Sequence, residues 1–133
     1  WGVTVWGATD TDLSGFPFER IFSSVTDSAS QGNGYFMKVD DQGDVPELVI
    51  DGGDESVPIG KDQGNGRDLA VRLIRAIQGA PVIEKVTIIL EDPSGGHYPD
   101  PERIMMSMSD GVITGPMKDT NNYSRRIIEE ALS

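Results

Sequence analysis

The sequence predicts an α+β fold: a single domain, residues 1–133, with a mixed or antiparallel sheet and about three helices in the order β-α-β-β-α-β-β-β-α. Three observations carry that expectation. Three segments repeat apolar residues with helical period, and short β-branched or aromatic runs alternate with Gly/Pro/Asp turn clusters. The connections between strands are mostly short enough for hairpins, which disfavours a doubly wound parallel sheet.

The elements follow in order. Val3–Trp6 reads as a short strand bounded by glycines. From Pro17 to about Ser28, Phe18, Ile21, Phe22 and Val25 fall at i, i+3, i+4 and i+7, one face of a helix that Pro17 can open. GYFMKVDD and ELVIDGG then read as two strands joined by the turn DQGDVP. The helix expected at Arg67–Gln78 turns Leu69, Leu73, Ile74 and Ile77 inward, pairs Asp68 with Arg72 at i,i+4, and stops at Gly79 and Pro81. EKVTIILED is a nearly continuous apolar run, as a central strand requires. RIMMSM and VITG flank Ser109, Asp110 and Gly111 as a second hairpin. A last helix is capped by Asn121 or Asn122, with Tyr123, Ile127, Ile128, Ala131 and Leu132 inward; Arg125–Glu129 and Arg126–Glu130 sit one turn apart on its outer side.

Charge is the strongest compositional signal. Twenty-two Asp and Glu against eleven Lys and Arg give a formal charge of −11. That field repels nucleic-acid phosphates and favours basic protein partners. The acids are also segregated: Asp40, Asp41, Asp44, Glu47, Asp51, Asp54 and Glu55 follow one another with no intervening base. No run approaches the ~18 apolar residues of a membrane-spanning helix, so no membrane partner is expected. The chain opens on Trp1, with no positively charged leader, and reads as a processed or excised product. A soluble protein is expected, with the cytoplasm slightly favoured. With no cysteine there is no disulfide, thiolate nucleophile or Cys-type zinc site.

Few stretches carry chemistry. Asp10, Asp12, Ser14 and Gly15 resemble the start of a calcium loop, but Pro17 and Ile21 stand at its eighth and twelfth positions, where the bidentate Glu should close it. A turn bonded by its own side chains is the simpler reading. His97, the single histidine, lies in a loop near Ser94, Tyr98 and Asp100, but that spacing defines no triad and no G-x-S-x-G elbow exists. Clustered carboxylates on turns make a poor glycosidase pair. No catalytic and no metal-ligating residue is assigned.

GKDQGNGRDLAVRLIRAI, residues 60–77, is the most suggestive segment. Gly64 and Gly66 permit close backbone approach at a helix N-terminus, where free N–H groups and the macrodipole attract anions, and Lys61 and Arg67 add charge. Lys61, Gly64 and Gly66 resemble the acetyl-CoA-binding turn of the GNAT N-acetyltransferases, [QR]-x-x-G-x-[GA] at a strand-to-helix junction. Pro58 stands where many members carry proline, and VTVWGATDTDL looks like their opening strand and helix lead-in. The resemblance implies coenzyme A binding at Lys61, Gly64, Gly66 and Arg67. The residues alone allow another reading: Asn65 as N-cap with Asp68 three residues on explains the helix start without a ligand, and Asp62 and Asp68 oppose an anion.

The leading expectation is therefore a non-enzymatic, acidic protein-binding module of the inhibitor or immunity type, needing no cofactor. It would present Asp40, Asp41, Asp44, Glu47, Asp51, Asp54 and Glu55 to a basic protein partner. The alternatives are an acyl-CoA-dependent acetyltransferase and a structural or interaction domain of a larger secreted or viral protein. The oligomeric state stays open.

Overall fold

The computed structural model describes residues 12–21, 23, 36–51, 64–90 and 102–133. The expected Val3–Trp6 strand, Val25 and the His97 loop lie outside them. A helical segment α1, with described residues 18–21 and 23, comes first. It is followed by β1 (Phe36–Asp40), β2 (Glu47–Asp51), α2 (Gly64–Ile77), β3 (Lys85–Leu90), β4 (Glu102–Ser109), β5 (Val112–Pro116) and α3 (Asn122–Leu132).

The five strands form one mixed sheet in chain order, β1-β2-β3-β4-β5, so the fold is α+β as expected. β1 and β2 are an antiparallel hairpin, with Met37 opposite Ile50 and Asp40 opposite Glu47. β2 and β3 run parallel from Glu47–Lys85 to Asp51–Ile89. Parallel neighbours cannot be joined by a tight turn, and α2 supplies the crossover. β3-β4-β5 close the sheet as an antiparallel meander, with an irregularity between Ser107 and Met108. Asp110 (φ 53) and Gly111 (φ 80) make its turn, the Asp-Gly pair whose left-handed backbone fits the twist of a two-residue hairpin.

One sheet face is apolar. Met37, Val39, Leu48, Ile50, Val86, Ile88, Ile104, Met106, Met108 and Ile113 are all buried, as period-two alternation dictates. The stripes of α2 (Leu69, Leu73, Ile74, Ile77) and α3 (Ile127, Ile128, Ala131) join them in one core, with Ile21 and Phe16 from the α1 region. Helices α2 and α3 pack on each other, and α3 lies along β4 and β5.

The structure corrects several local expectations. α2 begins at Gly64, so Asn65 falls within its first turn rather than at the cap. Glycine and asparagine are poor helix formers, which is why the start read three residues later. Asn121 does cap α3, its Oδ1 accepting from Ser124 N at 2.9 Å. Leu132, expected inward, is 40% exposed because α3 ends there. Asp68–Arg72 is not among the ion pairs of the described residues; Arg67 instead meets Glu130 at 3.6 Å.

Three of the described arginines bind backbone carbonyls. Arg20 donates Nε to Ala76 O and Nη2 to Gln78 O, closing the C-terminus of α2. Arg75 does the same for α3 through Ala131 O and Glu130 O, both at 3.2 Å. Arg125 reaches Thr120 O and Lys118 O ahead of α3 rather than Glu129. The last carbonyls of a helix have no intrahelical donor, and the forked guanidinium serves two at once.

Candidate functional site

The β1–β2 turn forms because Asp40 Oδ1 accepts from Gln42 N at 2.9 Å, a side chain standing in for a turn carbonyl. Asp41 Oδ1 accepts from Gln42 Nε2 at 2.8 Å, and Asp44 is exposed at the tip. Glu47 faces away from the core with Asp40 beside it. Its Oε2 accepts from Thr87 Oγ1 at 2.8 Å and lies 3.6 Å from Lys85 Nζ. Glu47 is thus largely satisfied within the sheet, while Asp41 and Asp44 are presented at its end.

Asp51 shares the outward face but closes the opposite end of β2. Four residue steps of ~3.3 Å put it about 13 Å from Glu47. Its Oδ1 is buried and makes no hydrogen bond. The acidic series is therefore divided between two ends of the sheet. Asp54 and Glu55 lie outside the described residues.

Two further segments converge on the Asp41–Asp44 end. Pro46 O accepts from Glu84 N (3.0 Å) and Lys85 N (3.3 Å), and Glu84 O accepts from Met108 N (3.0 Å). Gly79 N donates to Gly111 O at 2.6 Å, and Gln78 Oε1 accepts from Ile113 N at 3.1 Å. These bonds tie the turn at 41–46, the loop at 79–84 and the hairpin turn at 109–112 into one rim. The approach of the last two is tight, since a Cβ on Gly111 would lie 3.3 Å from Gly79 Cα. The rim exposes Asp44, Glu84 and Asp110, with Asp41 half-buried. Two cations flank these segments among the described residues. Lys85 is held by Glu47, and Arg20 by the carbonyls at the end of α2. Glu84 and Asp110 escaped the sequence reading because they are isolated acids there; only the strand order brings them beside residues 41–46.

Of the proposed coenzyme residues, Lys61 and Pro58 lie outside the described residues. Gly64 and Gly66 lie in the first turn of α2, and Arg67 is exposed on it. The β2-α2-β3 crossover sets that turn at the Asp51 end of the sheet. Asp51 and Asp68 bring negative charge to the same end, which works against a phosphate there.

In the Asp12 turn, Asp12 Oδ1 accepts from Ser14 N at 2.9 Å, and Asp10 lies outside the described residues. This backbone bond first, then the Ser14 hydroxyl, hold the Asp12 carboxyl below its ordinary value of 3.8. No group of three or more His, Asp or Glu among the described residues is placed to hold a metal ion. No helix among them is long and apolar enough to cross a membrane.

Among the described residues, Glu102 is the acidic residue buried beneath the helices. Glu102, 7% exposed, opens β4 on the core face, and its Oε1 accepts from the Oγ of fully buried Ser124 at 2.6 Å. This pair ties α3 to the sheet.

No protein-family model matches the chain, and no curated protein or solved structure is significantly similar to it.

Proposed function

We propose that the protein is a binding module, inhibitor or immunity-like in kind, that engages a basic protein through the acidic rim around residues 41–46. The observation that supports this reading best is the composition of the rim, whose segments 41–46, 79–84 and 109–112 contain no lysine or arginine. Asp44, Glu84 and Asp110 are exposed on that rim. A net charge of −11 adds a long-range field that steers a cationic partner and is screened by salt. The rim sits on a five-stranded sheet, a rigid support that lets acids meet a partner without large ordering costs.

A site-resolved test is an amide-shift titration with a lysine-rich peptide. Perturbations confined to residues 41–46, 84 and 110, weakening as salt rises, support the reading. Shifts spread over the whole surface, or none at low salt, refute it.

A second reading, coenzyme A binding by an acetyltransferase-like site, draws on Gly64 and Gly66 opening α2 in a β-α-β crossover. Any ligand of the native state raises the unfolding temperature, so an unchanged Tm at saturating acetyl-CoA eliminates it.

A further inference from the structure

Val82 and Val112 are two of the three large apolar residues exposed among the described ones, at 47% and 56%. Both belong to the rim: Val82 to the 79–84 loop, and Val112 to the start of β5 beside Asp110 and Gly111. Val82 also holds a left-handed backbone, φ 64. For an L residue that conformation costs roughly 1–2 kcal/mol, and a β-branched side chain tolerates it worst. Glycine or asparagine would relax this position, and the exposed valine side chain adds little to the core. Strain held at an exposed loop position marks a place where the side chain serves something outside the fold.

The segments that carry the two valines are joined. Gly79 N binds Gly111 O, and Gln78 Oε1 binds Ile113 N, so the loops that carry them are held together. Carboxylates flank both: Glu84 two residues after Val82, Asp110 two before Val112, with Asp41 and Asp44 across Pro46. Exposed apolar side chains on two joined segments, each with a carboxylate two residues away, complement a surface that sets apolar side chains among lysines or arginines. Nucleic acid and anionic lipid are refused by the same carboxylates.

We infer that Val82 and Val112 are the apolar anchors of the rim, and that its partner is a basic protein segment bearing an aliphatic side chain beside its cations. This rests on the proposed function above and specifies what the acidic rim recognises. The acids bring the partner in, and the valines, once desolvated, slow its release.

The experiment compares two labelled lysine-rich peptides of equal charge, one carrying two leucines and the other two serines in their place. Fluorescence anisotropy against the full chain reads both affinities. Burial of two aliphatic side chains predicts a preference of about tenfold for the leucine peptide. Val82→Asn with Val112→Thr should abolish that preference and leave the serine peptide's affinity within about twofold, because no charge changes and both replacements suit their backbones. Urea unfolding of the double variant verifies that it is folded. A preference that survives in the double variant, or is missing from the wild type, overturns the inference while leaving the acidic rim intact. Failure of both peptides to bind the wild type refutes the rim reading itself.

Discussion

Glu84 and Pro46 are joined by a 3.0 Å bond from the Glu84 amide to the Pro46 carbonyl. That contact couples the β1–β2 turn to the loop before β3, and the Glu84 carbonyl passes the connection on to Met108 in β4. Asp44 and Glu84, 40 residues apart in the chain, thereby share one end of the sheet.

Ser124→Ala should destabilise the protein by about 1–3 kcal/mol, since it leaves Glu102 Oε1 buried without its donor. Glu102→Gln keeps an acceptor for the Ser124 hydroxyl and should cost less. Urea denaturation of both variants reads the order. A Ser124→Ala loss below about 0.5 kcal/mol would show that the pair does not tie α3 to β4.

Replacing Arg75 tests whether its geometry or its charge matters. Its Nε and Nη2 reach two carbonyls at the end of α3, and a lysine offers no such fork. Arg75→Lys and Arg75→Ala should both lose about 1 kcal/mol in chemical unfolding. Full retention in the lysine variant would assign the effect to charge at the helix terminus.

Val82→Gly should leave the fold unharmed or stabilise it by up to about 1 kcal/mol, because it removes the penalty of φ 64 while adding chain entropy to the unfolded state. A clear drop in the urea midpoint would mean that the valine side chain supports the loop.

Asp12 gives a small acid-side signal. Its folded pKa lies below 3.8, so its contribution is present above that value and fades as pH falls through the lower folded one. The Asp12 carboxyl resonance should titrate below 3.8, and Ser14→Ala, which spares the stronger backbone bond, should raise the midpoint only part of the way back.

Much of this architecture is legible in the sequence. Leu69, Leu73, Ile74 and Ile77 mark α2 by period alone, and Asp110-Gly111 marks its hairpin by turn chemistry. What escapes is non-local. Parallel pairing of β2 with β3 leaves no short-range signature, and the reading of Asp40 to Glu55 as one acidic surface overlooks the length of β2, which sets Asp51 at the other end from Asp41 and Asp44. The arginines mislead for a related reason: helical spacing suggests carboxylate partners one turn away, whereas Arg75 finds unpaired carbonyls on another helix.

The most direct test of the acidic rim moves the same charge loss between two places. Asp41→Asn with Asp44→Asn removes two carboxylates from the rim, and Asp119→Asn with Glu129→Gln removes two exposed ones elsewhere. Binding of the leucine-bearing lysine peptide at low salt should weaken at least several-fold in the rim variant and within about twofold in the control, since screening confines each charge to roughly 10 Å. Equal losses in the two variants would contradict the account, leaving net charge rather than this edge of the sheet as what attracts a basic protein.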